Sequence, residues 1–266
     1  MDIQSTKNPL IKRIRAIRDG DEKDLVAVEG VRLVEEAIDA GLDVELALVS
    51  PKLTQKERGK ELMHRLAKAG ATIKECDHDV LARASGVTTP QGVLIVAAKK
   101  RFAFEDLVRG PFPCIAVAVA VRDPGNVGAI VRSAEAAGAS GFVAIEGSAD
   151  PWKEKALRGS AGSIFRLPSI SELSQDEFLR LARKHRLRLV ATQMHGGTPL
   201  WEADFGPAPI AFLFGAEGPG LPPQLADRCD LRVSIPMATS VESLNVSVAA
   251  SLVLFEQRRR MAGGGR

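Results

Sequence analysis

The feature that most constrains this chain is a series of five apolar runs, at residues 114–121, 141–146, 187–192, 209–215 and 231–235. Each is strand-length and continuous rather than alternating, as a strand buried on both faces requires. Helical spacing occurs between them at 126–138, 174–185 and 243–260, with a shorter stretch near 153–158. This alternation predicts an α/β unit on a parallel sheet. Residues 1–98 form an earlier, smaller α/β block. In it Leu10, Ile11, Ile14 and Ile17 fall at helical spacing, strands are expected at 25–28, 44–49, 72–75 and 92–98, and helices at 31–40, 55–69 and 79–85. Between the blocks, residues 99–112 carry Lys99, Lys100 and Arg101 and then Gly110-Pro111, the punctuation of a linker with a short helix at 105–108. The expected division is therefore 1–98, linker 99–112, and 113–266.

Composition narrows the class. No apolar run reaches the roughly 18–20 residues of a membrane span, and the basic start has no apolar signal core, so a cytoplasmic location is expected. Cys76, Cys114 and Cys229 are odd in number and widely spaced, and the four His are scattered at 64, 78, 185 and 195. That reads as buried or indifferent thiols and no metal centre. The net charge of +3 excludes little, but Lys7, Lys12, Arg13, Arg15 and Arg18 crowd one end and Arg258–Arg260 with Arg266 the other. Such ends suit solvent or phosphate. The chain has no Tyr, so contact with RNA would draw more on Arg and Lys than on aromatic stacking.

Open parallel sheets bind ligands at the carboxyl ends of their strands, and three segments following predicted strands are unusual. The first runs Asp123-Pro124-Gly125-Asn126-Val127-Gly128 to Arg132, a tight turn into a helix that Asn126 is placed to cap, without the G-x-G-x-x-G of a dinucleotide site. The second is Phe212-Leu213-Phe214-Gly215-Ala216-Glu217-Gly218-Pro219-Gly220-Leu221, where glycines allow a ligand near the backbone and Glu217 stands at the mouth. The third is Ile235-Pro236-Met237 followed by Ser243-Leu244-Asn245-Val246-Ser247-Val248-Ala249-Ala250, small polar residues at a helix start.

Each segment alone has a plain reading as a capped helix or a glycine turn. Together, in this order, they resemble the three motifs of the SpoU (TrmH) family of RNA ribose 2′-O-methyltransferases. Arg158-Gly159-Ser160-Ala161-Gly162-Ser163-Ile164-Phe165 is similar to a turn of that family. The amino-terminal block, with its Ile3-to-Lys12 stretch and Val28-Glu29-Gly30, resembles the family's L30e-like substrate-binding domain. One departure is Ala238-Thr239, where family members often carry a Gly two residues after Ile-Pro-Met.

The resemblance implies an α/β carboxyl-terminal parallel-sheet domain with a deep trefoil knot, which periodicity would not reveal, plus the smaller L30e-like domain. It implies S-adenosylmethionine as cofactor, held near Gly215, Ile235, Leu244 and Met237, and a homodimer through the knotted region. Its catalytic set falls on Arg132, Asn126, Glu217, Ser243 and Asn245. Arg132 matches the family's catalytic arginine. It could serve as a base or, since a guanidinium stays protonated, bind the target phosphate and stabilise the developing oxyanion. Lys7, Lys12, Arg13 and Arg15 are the candidate RNA contacts. The expected substrate is RNA, ribosomal (23S-type) before transfer RNA, with an antibiotic-resistance role open. Two other classes stay open: a non-catalytic RNA-binding dimer and a nucleotide- or NAD-dependent enzyme.

Overall fold

In a computed structural model, residues 2–206, 209–238 and 243–263 are described. The chain divides into two compact units, one of residues 1–100 with 152–166 and one of 101–151 with 167–266.

The first unit opens with α1 (Pro9–Asp19), started by Asn8, whose Oδ1 accepts the Leu10 N–H at 2.9 Å, and stopped by Gly20 in a left-handed conformation. There follow β1 (Leu25–Glu29), α2 (Val31–Asp39), β2 (Val44–Val49), α3 (Glu57–Lys68), β3 (Thr72–Glu75), α4 (His78–Ala84) and β4 (Val93–Ala98). The sheet order is β1-β4-β2-β3, with β4 antiparallel to β1 and β2, and β2 parallel to β3. Ile11, Ile14 and Ile17 bury one face of α1 against Leu46, Leu48, Leu94 and Val96 of the sheet and Val80 and Leu81 of α4.

The second unit contains α5 (Phe104–Leu107), β5 (Cys114–Ala118), α6 (Pro124–Ala136) and β6 (Gly141–Ile145). The next helix, α7 (Glu154–Ser160), belongs to the first unit. The second then resumes with β7 (Ser169–Leu173), α8 (Gln175–Lys184), β8 (Arg188–Gln193), β9 (Thr198–Pro199), β10 (Ile210–Phe214), α9 (Pro223–Ala226), β11 (Leu231–Ser234) and α10 (Val246–Gly263). Its seven strands lie in the order β7-β6-β5-β10-β8-β11-β9, every neighbouring pair parallel. β5, β6 and β10 are buried along their whole length, which is why their sequences run apolar without alternation. β7, β9 and α9 are additional to the expected elements. The edge strands β7 and β9 are half-polar and short, so neither makes an apolar run.

Three expectations need correcting. Residues 152–166 pack with the first unit rather than the second: Lys153 donates to the Asp19 carbonyl, Arg166 pairs with Glu36 at 2.6 Å, and Gly162 lies so close to Glu36 that a Cβ would sit 2.7 Å from that side chain. The α6 cap is Asp123, not Asn126, because Pro124 is pre-set for the first helical position and Asp123 Oδ1 accepts the Asn126 N–H at 3.1 Å. The apolar run at 114–121 leaves the sheet early, since Ala120 adopts a left-handed φ of 55° and turns the chain toward Asp123. Residues 239–242, with Thr239, lie outside the described residues, as does Arg266.

From edge-side β11 the chain returns as α10 to pack on α6 and β10, where Ser133 and Ser251 meet Oγ to Oγ at 2.7 Å. The far end of α10 is pinned by a buried carboxylate. Glu256 holds Arg259 at 2.8 Å and Arg260 at 2.6 Å, and Arg260 donates to the carbonyls of Leu200, Trp201 and Ala203 while lying over the Phe205 ring. Burial pushes the thiols of Cys76 and Cys229 up to about 11 and that of Cys114 to about 12, so all three stay protonated. Among the described residues no helix is long and apolar enough to cross a membrane, and no cluster of His, Cys, Asp and Glu could hold a metal.

Hydrogen bonds from Arg259, then from Arg260, hold the Glu256 carboxyl down at about 2. A depressed carboxyl stabilises the fold above its ordinary value, and that contribution is lost as pH falls toward the folded value. Glu256→Gln should therefore be less stable at pH 7 by about 1–3 kcal/mol. In urea titrations the gap from the parent protein should narrow between the ordinary carboxylate range and pH about 2; a gap independent of pH contradicts this account of the helix anchor.

Candidate active site

Four segments at the carboxyl ends of the second unit's strands carry the site: 119–126, running from β5 into α6; 192–197, from the end of β8; 215–221 after β10; and, among the described residues, 235–238 and 243–245 after β11. The last three enclose a cavity of about 470 Å³. Its apolar wall comes from Leu221, Val233, Ile235, Leu244 and Val246, and its polar rim from Thr192, Gln193, His195, Glu217, Ser243 and Asn245.

The 215–221 loop can fold so tightly only because of its glycines. A Cβ on Gly215 would lie 2.2 Å from the Gly220 carbonyl carbon and 2.3 Å from the Leu221 nitrogen. Gly220 donates back to the Ala216 carbonyl at 2.9 Å, and Gly218 and Gly220 both adopt positive φ. This closed loop presents backbone to the cavity and projects Glu217 outward, exposed.

A relay of side-chain hydrogen bonds joins three of the four loops. Asn126 Nδ2 donates to Glu217 Oε1, and Asn245 Nδ2 donates to Asn126 Oδ1 at 3.0 Å. Asn245 Oδ1 then accepts from the Ser247 N–H at 2.9 Å and the Ser247 hydroxyl at 2.6 Å, which starts α10 at Val246. The carboxylate fixes both amides, because a flipped Asn126 would set its oxygen against Glu217. Asp123 serves the relay by taking the cap and leaving the Asn126 side chain free for it.

Of the residues singled out from sequence, Gly215, Ile235, Met237 and Leu244 all line the cavity, with Glu217, Ser243 and Asn245. Asn126 joins them through the relay. Arg132 does not line it. Six residues make about 600° of helix, which turns Arg132 roughly 120° away from Asn126. It is exposed and has no hydrogen bond or ion pair among the described residues. On the first unit, Lys7, Lys12 and Arg15 are exposed, whereas Arg13 is claimed by Glu22 at 3.1 Å and Glu45 at 2.6 Å, which keep its charge neutralised within the fold. The sequence reading missed Thr192 through His195. The same rule of strand carboxyl ends, applied to the run at 187–192, would have found them.

Comparison with known proteins accords with this geometry. Residues 113–255 match the SpoU rRNA Methylase family and residues 8–95 the MRM3-like substrate binding domain. The 23S rRNA (guanosine-2′-O-)-methyltransferase RlmB of Ralstonia nicotianae is 33% identical over 208 residues, 76% of this chain and 83% of that protein. The AdoMet-bound rRNA methyltransferase of Sinorhizobium meliloti superposes with a TM-score of 0.84 at 30% identity, covering 98% of both chains. The SpoU methyltransferase AviRb from Streptomyces viridochromogenes, in complex with AdoMet, gives a TM-score of 0.87 at 28% identity over 98% of this chain and 100% of that one. The chain belongs to the SpoU family of RNA methyltransferases.

The cavity suits S-adenosylmethionine on its own chemistry. Its volume is in the range of small-molecule sites, and an apolar slot beside open glycine backbone matches a purine edge and a ribose. Gly215→Ala, which forces Gly220 and Leu221 apart, should weaken S-adenosylmethionine binding at least about tenfold by calorimetry, with far-ultraviolet dichroism unchanged. Unaltered affinity would mean that the loop does not shape the pocket.

Proposed function

We propose that this chain transfers the methyl group of S-adenosylmethionine to a ribose 2′-hydroxyl of RNA, and that the RNA is ribosomal, of the 23S type. The observation that carries the reading is the Glu217–Asn126–Asn245 relay, which sets oriented polar groups along the rim of a cavity fitted to that cofactor. When bound, the cofactor supplies an electrophilic methyl group. The chain supplies alignment of the attacking oxygen, exclusion of water by the apolar wall, and stabilisation of developing charge.

Asn245 and Ser243 stand on the rim where a ribose would enter, with hydrogen-bonding groups for its hydroxyls. Glu217 holds the Asn126 amide and keeps its own second oxygen available to the substrate. Arg132, exposed outside the cavity and unpaired among the described residues, is suited to hold a phosphate of RNA lying across the rim, because its donors compete with no partner there. In that role it binds the target strand and offsets oxyanion charge. The exposed cations Lys7, Lys12 and Arg15 on the first unit serve as phosphate contacts, with Arg13 left out for the reason above.

The chain works as a homodimer in the cytoplasm. Val248, Leu252 and Phe255 support this: they recur at helical spacing on α10 and are 37–49% exposed, an apolar stripe of the kind a second copy covers.

Incubation with methyl-labelled S-adenosylmethionine and unmodified ribosomal or transfer RNA, followed by alkaline digestion, tests the proposal. Label is expected in alkali-resistant dinucleotides from ribosomal RNA. Arg132→Ala should remove it by a factor of about 100 or more while calorimetric cofactor binding stays intact. Label released as mononucleotides would contradict ribose methylation, and full activity of Arg132→Ala would contradict its role.

A further inference from the structure

The hydrogen bonds that orient the rim amides do not end at Ser247. Its hydroxyl donates to Asn245 Oδ1 at 2.6 Å, and its carbonyl accepts the Ser251 hydroxyl, one turn further along α10, at 2.7 Å. Ser251 Oγ in turn meets Ser133 Oγ of α6 at 2.7 Å. The series therefore leaves α6 at Asn126, crosses to α10 and returns to α6 at Ser133.

The acceptors fix the direction of every proton. A carboxylate and a backbone carbonyl can only accept, and a hydroxyl has one proton to give. Glu217 takes the Asn126 amide hydrogen, so Asn126 Oδ1 is left to accept from Asn245, and Asn245 Oδ1 to accept from Ser247. Ser251 spends its proton on the Ser247 carbonyl, so Ser133 is the donor in the contact between the helices. All donors from Ser133 to Glu217 point the same way. Reversing any one of them sets two acceptors or two donors against each other.

Asn126 and Ser133 are seven residues apart, about 700° of helix, and so share one face of α6 two turns apart. Ser247 and Ser251, four apart, share a face of α10. The two helices are thus fastened at two points. Ala250 and Leu254, buried on α10, add apolar contact, which is non-directional and holds the helix down without fixing its register. With both fastenings made, α10 can neither slide nor turn on α6. Such a movement would displace Asn245 at the rim and Val246, Ala249 and Val253 in the cavity wall.

We infer that Ser133 and Ser251 are positioning residues for methyl transfer: their contact sets the register of α10 on α6 and, through Ser247, the placement of the Asn245 amide. Neither lines the cavity, so both act through other groups. The inference rests on the ribose methylation proposed above and extends it to the buried side of α10.

The test is single-turnover methyl transfer at saturating RNA and cofactor for Ser133→Ala and Ser251→Ala, each made in the parent protein and in Asn245→Ala. Thermal midpoint, calorimetric S-adenosylmethionine affinity and the RNA concentration for half-maximal rate are measured alongside. Alanine is the better helix former, so both variants should fold. In the parent each should slow transfer by about fivefold to tenfold, with cofactor and RNA affinities within about twofold. In Asn245→Ala the same substitutions should change the rate by less than about twofold, because the group they position is gone. An unchanged rate in the parent overturns the inference while ribose methylation stands. So does a loss confined to affinity, or a slowing that persists undiminished in Asn245→Ala, which is the mark of general destabilisation. A parent protein giving no alkali-resistant label overturns the ribose reading and this inference with it.

Discussion

The site depends on one short chain of hydrogen bonds, from Glu217 through Asn126 to Asn245. These residues come from the loop after β10, the first turn of α6 after β5 and the segment after β11, far apart in sequence and joined by the order in which parallel strands lie. Each bond is modest in net stability, but an amide held at both ends has a single orientation. The carboxylate sets the first amide, the first sets the second, and the second starts α10. The cavity wall from Leu244 to Val253 is therefore coupled to the loop that carries Glu217. Packing of α10 on α6 and β10, and the Glu256–Arg260 anchor at the far end, hold the helix so that its start stays in register with the other loops.

Much of the second unit was legible in sequence because strands buried on both faces write themselves as continuous apolar runs. The resemblance pointed to Gly215, Ile235, Met237 and Leu244 as cofactor contacts, and these four do share one cavity. What the sequence concealed was partnership. Asn126 looked like a helix cap until Asp123 proved to occupy that place. Arg13 looked equal to Lys12 and Arg15, yet Glu22 and Glu45, nine and thirty-two residues away, neutralise it. Arg132 could have been separated from Asn126 by helical phase alone, because six residues do not return to the same face. His195 carried no local signal beyond its place after an apolar run.

The division of the chain shows a second limit of linear reading. Residues 152–166 sit within the span that matches the methylase family, but Lys153, Gly162 and Arg166 bind them to α1 and α2 of the first unit. A boundary drawn from composition and punctuation is a single cut. A chain that leaves a unit and returns is defined by contacts no window of sequence contains. The two units nevertheless keep separate cores, one around Ile14, Leu48 and Leu94 and one around Val117, Val143 and Leu213.

The central claim is that Asn126 and Asn245 act as one oriented unit rather than as two independent rim groups. A double-mutant cycle of Asn126→Ala, Asn245→Ala and the double variant, read as single-turnover methyl transfer, addresses it directly. The account predicts strong coupling, of order 1–2 kcal/mol, with the double variant little slower than the worse single one. Rate losses that simply multiply would show that the two amides work separately, and would contradict the relay as the organising element of the site.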